Sequence, residues 1–212
     1  MDHRSKKKSD NQAEQAKTAA YIGFRKYASD YKSRLVSADD GRRMKEEFVY
    51  TGDYFHHGLS SEREKPVKRQ TLILSLLAVI GYAAAGLIDP DAMRSFFTAL
   101  PYAVMLLPIG FMAAGEYRVL REKAPYKREA FDHSWKRLRA TSLAASILAA
   151  VSLVSAVIFM AVTGAHGRDD LLFLLLMAAS GGCSLEIWRV IRKECAFETL
   201  EKDGKEGNIR QK

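Results

Sequence analysis

ATSLAASILAAVSLVSAVIFMAVTGA, residues 140–165, runs for twenty-six positions without a charged side chain. As a helix it spans ~39 Å at 1.5 Å per residue, longer than the roughly 30 Å hydrocarbon core of a bilayer. Small residues recur within it at spacings of three and four: Ser142, Ala145, Ala149, Ser152 and Ala156. That spacing places them on one helix face, where a second backbone can come close. Apolar faces gain nothing by leaving lipid, so membrane helices associate through such close packing.

Working outward, three more long apolar runs flank this one, two without a charge and the last interrupted only near its end. Together they predict an all-α integral membrane protein with four transmembrane helices, at about 71–88, 95–115, 141–164 and 171–191. The mean hydropathy of −0.17 would suit a soluble protein, but only because charged blocks between the runs dilute them. The division is then a cytosolic N-terminal region (1–65), a membrane domain (66–192) with a cytosolic connection (116–140), and a cytosolic tail (193–212). In span two, Pro101 and Pro108 each remove a backbone hydrogen bond and should bend the helix. Asp169 and Asp170 open span four, where the helix dipole favours negative charge.

The N-terminal region begins with a basic tail. Ala16, Ala20, Phe24, Tyr27, Tyr31 and Leu35 then follow spacings of four or three and predict an amphipathic helix over 11–36. Residues 42–47 are expected to add a helical turn. The aromatic stretch 48–57, with Gly52-Asp53 in its middle, predicts a short hairpin. Pro66 suits the first turn of the helix that becomes span one. After span four, helix is expected to about Lys202. The start of the chain lacks the apolar core of a cleavable signal peptide.

Charge sets the expected orientation. The chain carries a net +8. Residues 1–70 are net +5, the 116–139 connection net +4 and residues 189–212 net +2, whereas the two short links are net −1 each. Positive flanking segments stay cytoplasmic, so both termini and the middle connection are expected there, in a cell membrane. Orientation accounts for the basic balance, and with no nucleic-acid-binding motif present no nucleic acid partner is expected. The expected partners are a bilayer with an anionic inner leaflet and either further copies of the chain or another membrane protein.

Glu186 is the charge that stands out, because it lies within span four. Arg189, three residues on, is within reach of an ion pair on the same face. One reading is a proton or cation site; the other is an acid that snorkels to the interface with its arginine. Helix packing is assigned to Gly81 and Ala85 in span one, the small-residue face of span three, and Gly181 and Gly182 in span four. Cys183 should be inert in an apolar span, and Cys195 more reactive. Histidine and cysteine spacings give no metal site, no cofactor is implied, and no set of base, nucleophile and oxyanion donor can be assembled. The expectation is a non-enzymatic subunit or scaffold. It would associate through the small-residue helix faces and the basic cytosolic layer. The alternative is a small transporter or channel that uses Glu186.

Overall fold

The computed structural model describes residues 25–37, 44–56, 58–164, 167–195 and 198–200. It is mostly helical, with four helices long and apolar enough to cross a membrane: α1 (Ser61–Gly86), α2 (Phe96–Arg121), α3 (Arg128–Thr163) and α4 (Arg168–Glu194). Contacts divide the chain into a helical unit, residues 56–124 and 130–197, and a small unit of strands, drawn from residues 1–55, 125–129 and 198–212.

In the helical unit each helix outruns its uncharged stretch into charged flanks. α1 starts five residues before Pro66, with Glu62 and Glu64 in its first turn facing the positive end of the dipole. Pro66 therefore sits inside the helix, not in its opening turn. Lys68, on the next turn, pairs with Glu64 at 2.7 Å. α2 carries Pro101 and Pro108 without interruption. α3 takes in a π-helical turn at Asp132–Lys136 and ends on Gly164, whose φ of 68° closes the helix in the left-handed conformation that glycine adopts freely. α4 begins with Asp169 and Asp170. Asp170 is buried and accepts a hydrogen bond at 3.0 Å from the backbone N–H of Ala92, which ties the α1–α2 link to the start of α4.

The helices run antiparallel in sequence order. The start of α1 meets the end of α2, where Lys68 Nζ donates to the Glu122 carbonyl at 3.0 Å. The other ends of the same pair meet through Tyr82 and Tyr102, stacked at 4.7 Å between centroids and each donating to the other's carbonyl. Gly115 of α2 lies against Leu138 of α3, and Ser152 of α3 donates to the Thr98 carbonyl of α2 at 3.3 Å. Extensive faces join α2 to α3, α3 to α4 and α4 to α1, and the α1–α2 face is thinner. The interior is closed by Met105, Met112, Trp135, Leu138, Phe173, Met177, Ile187 and Ile191, all fully buried. Leu106, Leu107, Val154, Ile158 and Leu175 point outward and are exposed.

The small unit departs from the sequence expectation. The predicted helix over 11–36 falls partly outside the described residues. Its described part is a 3-10 turn, Arg25–Asp30, followed by strand β1 (Tyr31–Ser37). Residues four apart share a face in a strand as well as, nearly, in a helix, so Tyr27, Tyr31 and Leu35 fit either period. The expected helical turn at 42–47 is likewise replaced by β2 (Met44–Tyr50), which pairs antiparallel with β1 from Tyr31↔Tyr50 to Ser37↔Met44. The hairpin predicted over 48–57 does not close on itself. After β2 the chain turns at Gly52 and enters β3 (Tyr54–His56), which pairs with β4 (Tyr126–Lys127) instead. The turn is held elsewhere: the N–H groups of Thr51 and Gly52 donate to the Asp30 carbonyl at 2.8 and 3.1 Å. A Cβ on Gly52 would come within 2.8 Å of Asp30 Cβ, so only glycine fits that approach.

Tyr50 is the hub of this unit. Its ring makes edge contacts with Tyr31 and Tyr54, both at 5.2 Å, and its hydroxyl donates to the Asp53 carbonyl and accepts from the Arg128 N–H. Burial is the main reason its phenol titrates above the ordinary value. The helix expected to Lys202 ends at Glu194. Cys195 is already extended, and β5 (Glu198–Leu200) completes a sheet of order β4-β3-β5.

Candidate functional site

The antiparallel order brings the charged ends together: the start of α1, the end of α2, the start of α3 and the end of α4 form one basic end of the bundle. Two clusters there contain acidic side chains on long apolar helices.

The first is the pair singled out from sequence. Glu186 Oε2 and Arg189 Nη1 are 3.5 Å apart, with the two side chains 46% and 62% exposed. They lie on the outer surface of α4, at the edge of a groove between α4 and α1. An ion pair this open is worth little to stability. The arrangement is that of an acid reaching outward with its arginine.

The second cluster is absent from the sequence reading. Glu116 opens the expected cytosolic connection, where the sequence leads one to expect span two to continue as helix to about Lys123; the helix does continue, to Arg121, but Glu116 is only 3% exposed. It faces Lys68, Thr71 and Ser75, which share a face of α1 at spacings of three and four. Thr71 Oγ1 is 3.0 Å from Glu116 Oε1, and Ser75 Oγ donates to Oε2 at 3.4 Å. Thr71 Oγ1 is also 3.1 Å from the Lys68 carbonyl. A hydroxyl has one proton. If Thr71 gives it to Glu116, the acid can be ionised. If Thr71 gives it to the Lys68 carbonyl, the contact to Glu116 needs a proton on the acid. The cluster can therefore hold Glu116 in either protonation state. Lys68 is committed to Glu64 and to the Glu122 carbonyl at the end of α2. A signal was present in the sequence: two hydroxyl residues one helical turn apart at the head of an apolar run, opposite the first acid after the next run.

The residues assigned to packing fall as follows. Ser142, Ala145, Ala149, Ser152 and Ala156 all have zero exposure and face the chain's own helices. Gly181 is packed on this row so tightly that an added Cβ would be 2.7 Å from Ala149 Cβ. Ala85 is fully buried, and a Cβ on Gly81 would touch the Leu176 carbonyl at 3.3 Å. Ser180 fixes the same face by donating to the Ala78 carbonyl at 2.8 Å. Gly182 differs: it is exposed, with open space beside it.

Both cysteines are free. Cys195, expected to be the more reactive, is 4% exposed. Burial, reinforced by Glu194 and opposed by Arg139, pushes its thiol up to about 12. The extended C-terminal cap of α4 turns it inward, which the sequence does not reveal. No family model matches this chain, and no characterised protein or solved structure is similar to it.

Proposed function

We propose that the chain is a multi-pass membrane protein of the cell membrane, with both termini and the α2–α3 connection cytoplasmic, and that it serves as a non-enzymatic subunit or scaffold. The observation that carries the topology is the sheet β4-β3-β5. Its strands come from before α1, from between α2 and α3, and from after α4. Segments joined by hydrogen bonds lie on one side of any bilayer the helices cross. These same three segments hold the chain's positive excess, which favours the cytoplasmic side.

The filled interior supports the subunit role. The small-residue row of α3 is used within the chain, against α2 and α4, and is fully buried there. Self-association or partner binding then uses outward surfaces: the basic end and the exposed helix faces. On α2 these include Gly110 and Ala114, four apart and both exposed. We expect the protein purified in mild detergent from its own membranes to run as a stoichiometric complex with itself or another membrane protein. We also expect no proton- or cation-driven flux in proteoliposomes. A monodisperse monomer that carries such a flux would overturn this reading.

Glu116 favours a second reading, a transporter, because it places an acid between two helices at the basic end. In this reading the acid is Glu116, not Glu186. Glu116→Gln would abolish the flux while leaving assembly intact.

A further inference from the structure

On the outer face of the helical unit, α1 and α4 enclose a groove of about 750 Å³ at the basic end, within the size range of small-ligand sites. Arg63 of α1 and Arg189, Arg192 and Lys193 of α4 line it, all exposed. Two acids are present as well: Glu194, 3.5 Å from Arg63, and Glu186, 3.5 Å from Arg189. Among the described residues, Arg192 and Lys193 have no carboxylate within ion-pair distance. Arg192 is instead held over the ring of Trp188, with its guanidinium carbon 5.0 Å from the centroid. That contact fixes a cation at the rim and leaves its N–H groups free to bind an anion.

Beyond the groove's own lining, exposed apolar surface leads away from the charges along both helices. The stripe of α4 that carries Glu186 runs back through Gly182, Ala179 and Leu175 at spacings of four, three and four, all exposed. Gly182 leaves a gap in that stripe. On α1 the stripe from Gln70 runs through Ile73 and Leu77, again exposed. A cationic head opening onto an apolar furrow fits a molecule that is anionic at one end and hydrocarbon at the other.

We infer that this α1–α4 groove binds an anionic membrane phospholipid, its phosphate seated by Arg192, Lys193 and the two paired arginines and an acyl chain lying over Gly182. Basic pockets between helices at the cytoplasmic surface are suited to such headgroups. The inference rests on the proposal above that the helices cross a bilayer.

The test uses the full chain in phosphatidylcholine vesicles that carry either acyl-brominated phosphatidylglycerol or, as a neutral reference, acyl-brominated phosphatidylcholine. Bromine quenches nearby tryptophan fluorescence. Trp188 borders the groove, and the other tryptophan, Trp135, is buried. The anionic lipid should quench at a lower mole fraction than the neutral one. Arg192→Gln and Lys193→Gln should each shrink that preference by up to about fivefold, and Glu186→Gln, which releases Arg189, should enlarge it. Arg121→Gln removes an exposed cation from the same end but outside the groove, and should leave the preference unchanged. Equal quenching by the two lipids, or an equal loss in Arg121→Gln, would overturn the lipid site and leave the transmembrane reading standing. Displacement by inorganic phosphate would overturn it in favour of a soluble phosphate compound. Quenching by neither lipid would overturn the transmembrane reading itself and the site with it.

Discussion

Between α3 and α4, Gly181 lies so close to Ala149 that not even a methyl group fits without movement. Between α1 and α2, backbone approaches are fewer, and the helices are joined by side chains that reach across: Glu116 to Thr71 and Ser75, Lys68 to Glu122, Tyr82 to Tyr102. The first face depends on shape and is indifferent to charge. The second depends on hydrogen bonds, so it responds to proton balance. One bundle thus contains a rigid half and an adjustable half, and any conformational change is more easily accommodated at the α1–α2 face.

The strongest way to break this comparison is to add bulk. Gly181→Leu should destabilise the bundle by about 3 kcal/mol, the upper part of the range for overpacking, whereas Gly182→Leu, next in sequence but facing open space, should change little. Unfolding of both variants in mixed detergent micelles measures the difference; equal losses would mean that the α3–α4 face is not the tight one.

At the α1–α2 face the informative substitutions are polar. Glu116→Ala strips two hydroxyls of their shared partner and should cost about 1–3 kcal/mol. Glu116→Gln keeps acceptor and size and should cost under about 1 kcal/mol. A glutamine variant as damaged as the alanine one would show that the negative charge itself is required, and would strengthen the transporter reading. Between the two faces lies a chemical test. The Cys195 thiol is held neutral by burial, so between the ordinary 9.0 and about 12 it stays protonated where an exposed thiol ionises. In a Cys183→Ala chain, iodoacetamide alkylation of Cys195, read at that residue by mass spectrometry, should be slow in the folded protein near the lower end of that window and become fast on unfolding. The smallest effect is expected at Glu186→Gln, within ±0.5 kcal/mol, because its ion pair is largely exposed. A larger loss would mean that Glu186 is buried by a partner in the assembled protein.

How much of this was legible in the sequence depended on how local each feature is. The four long helices show as uncharged runs, and the inward face of α3 shows as the spacing of its serines and alanines. The burial of Glu116 is not local: it depends on which face α1 turns toward α2, and only the pairing of Thr71 with Ser75 hinted at it. Glu186 drew attention as the charge inside an uncharged run. Whether such a charge points in or out is decided by a neighbour, and α1 flanks it without covering it. The small unit was the least legible. Tyr31 finds its partner at Tyr50 and Phe55 finds its partner at Tyr126, so β1 and β3 are strands because of residues far away in the chain. A spacing of four could not distinguish that from a helix.

The placement of β3 also has a consequence for biogenesis. Its two neighbours in the sheet are β4, made after two long apolar helices, and β5, made after all four. During synthesis one edge of β3 can pair once two helices have been made, but the other must wait unpaired until the last helix has left the ribosome. The ends of so long a loop close slowly, and an unpaired edge is open to wrong partners in the interval. The finished sheet is therefore a marker that every helix has been made, and a chain stopped after Glu194 would lack the strand that completes it.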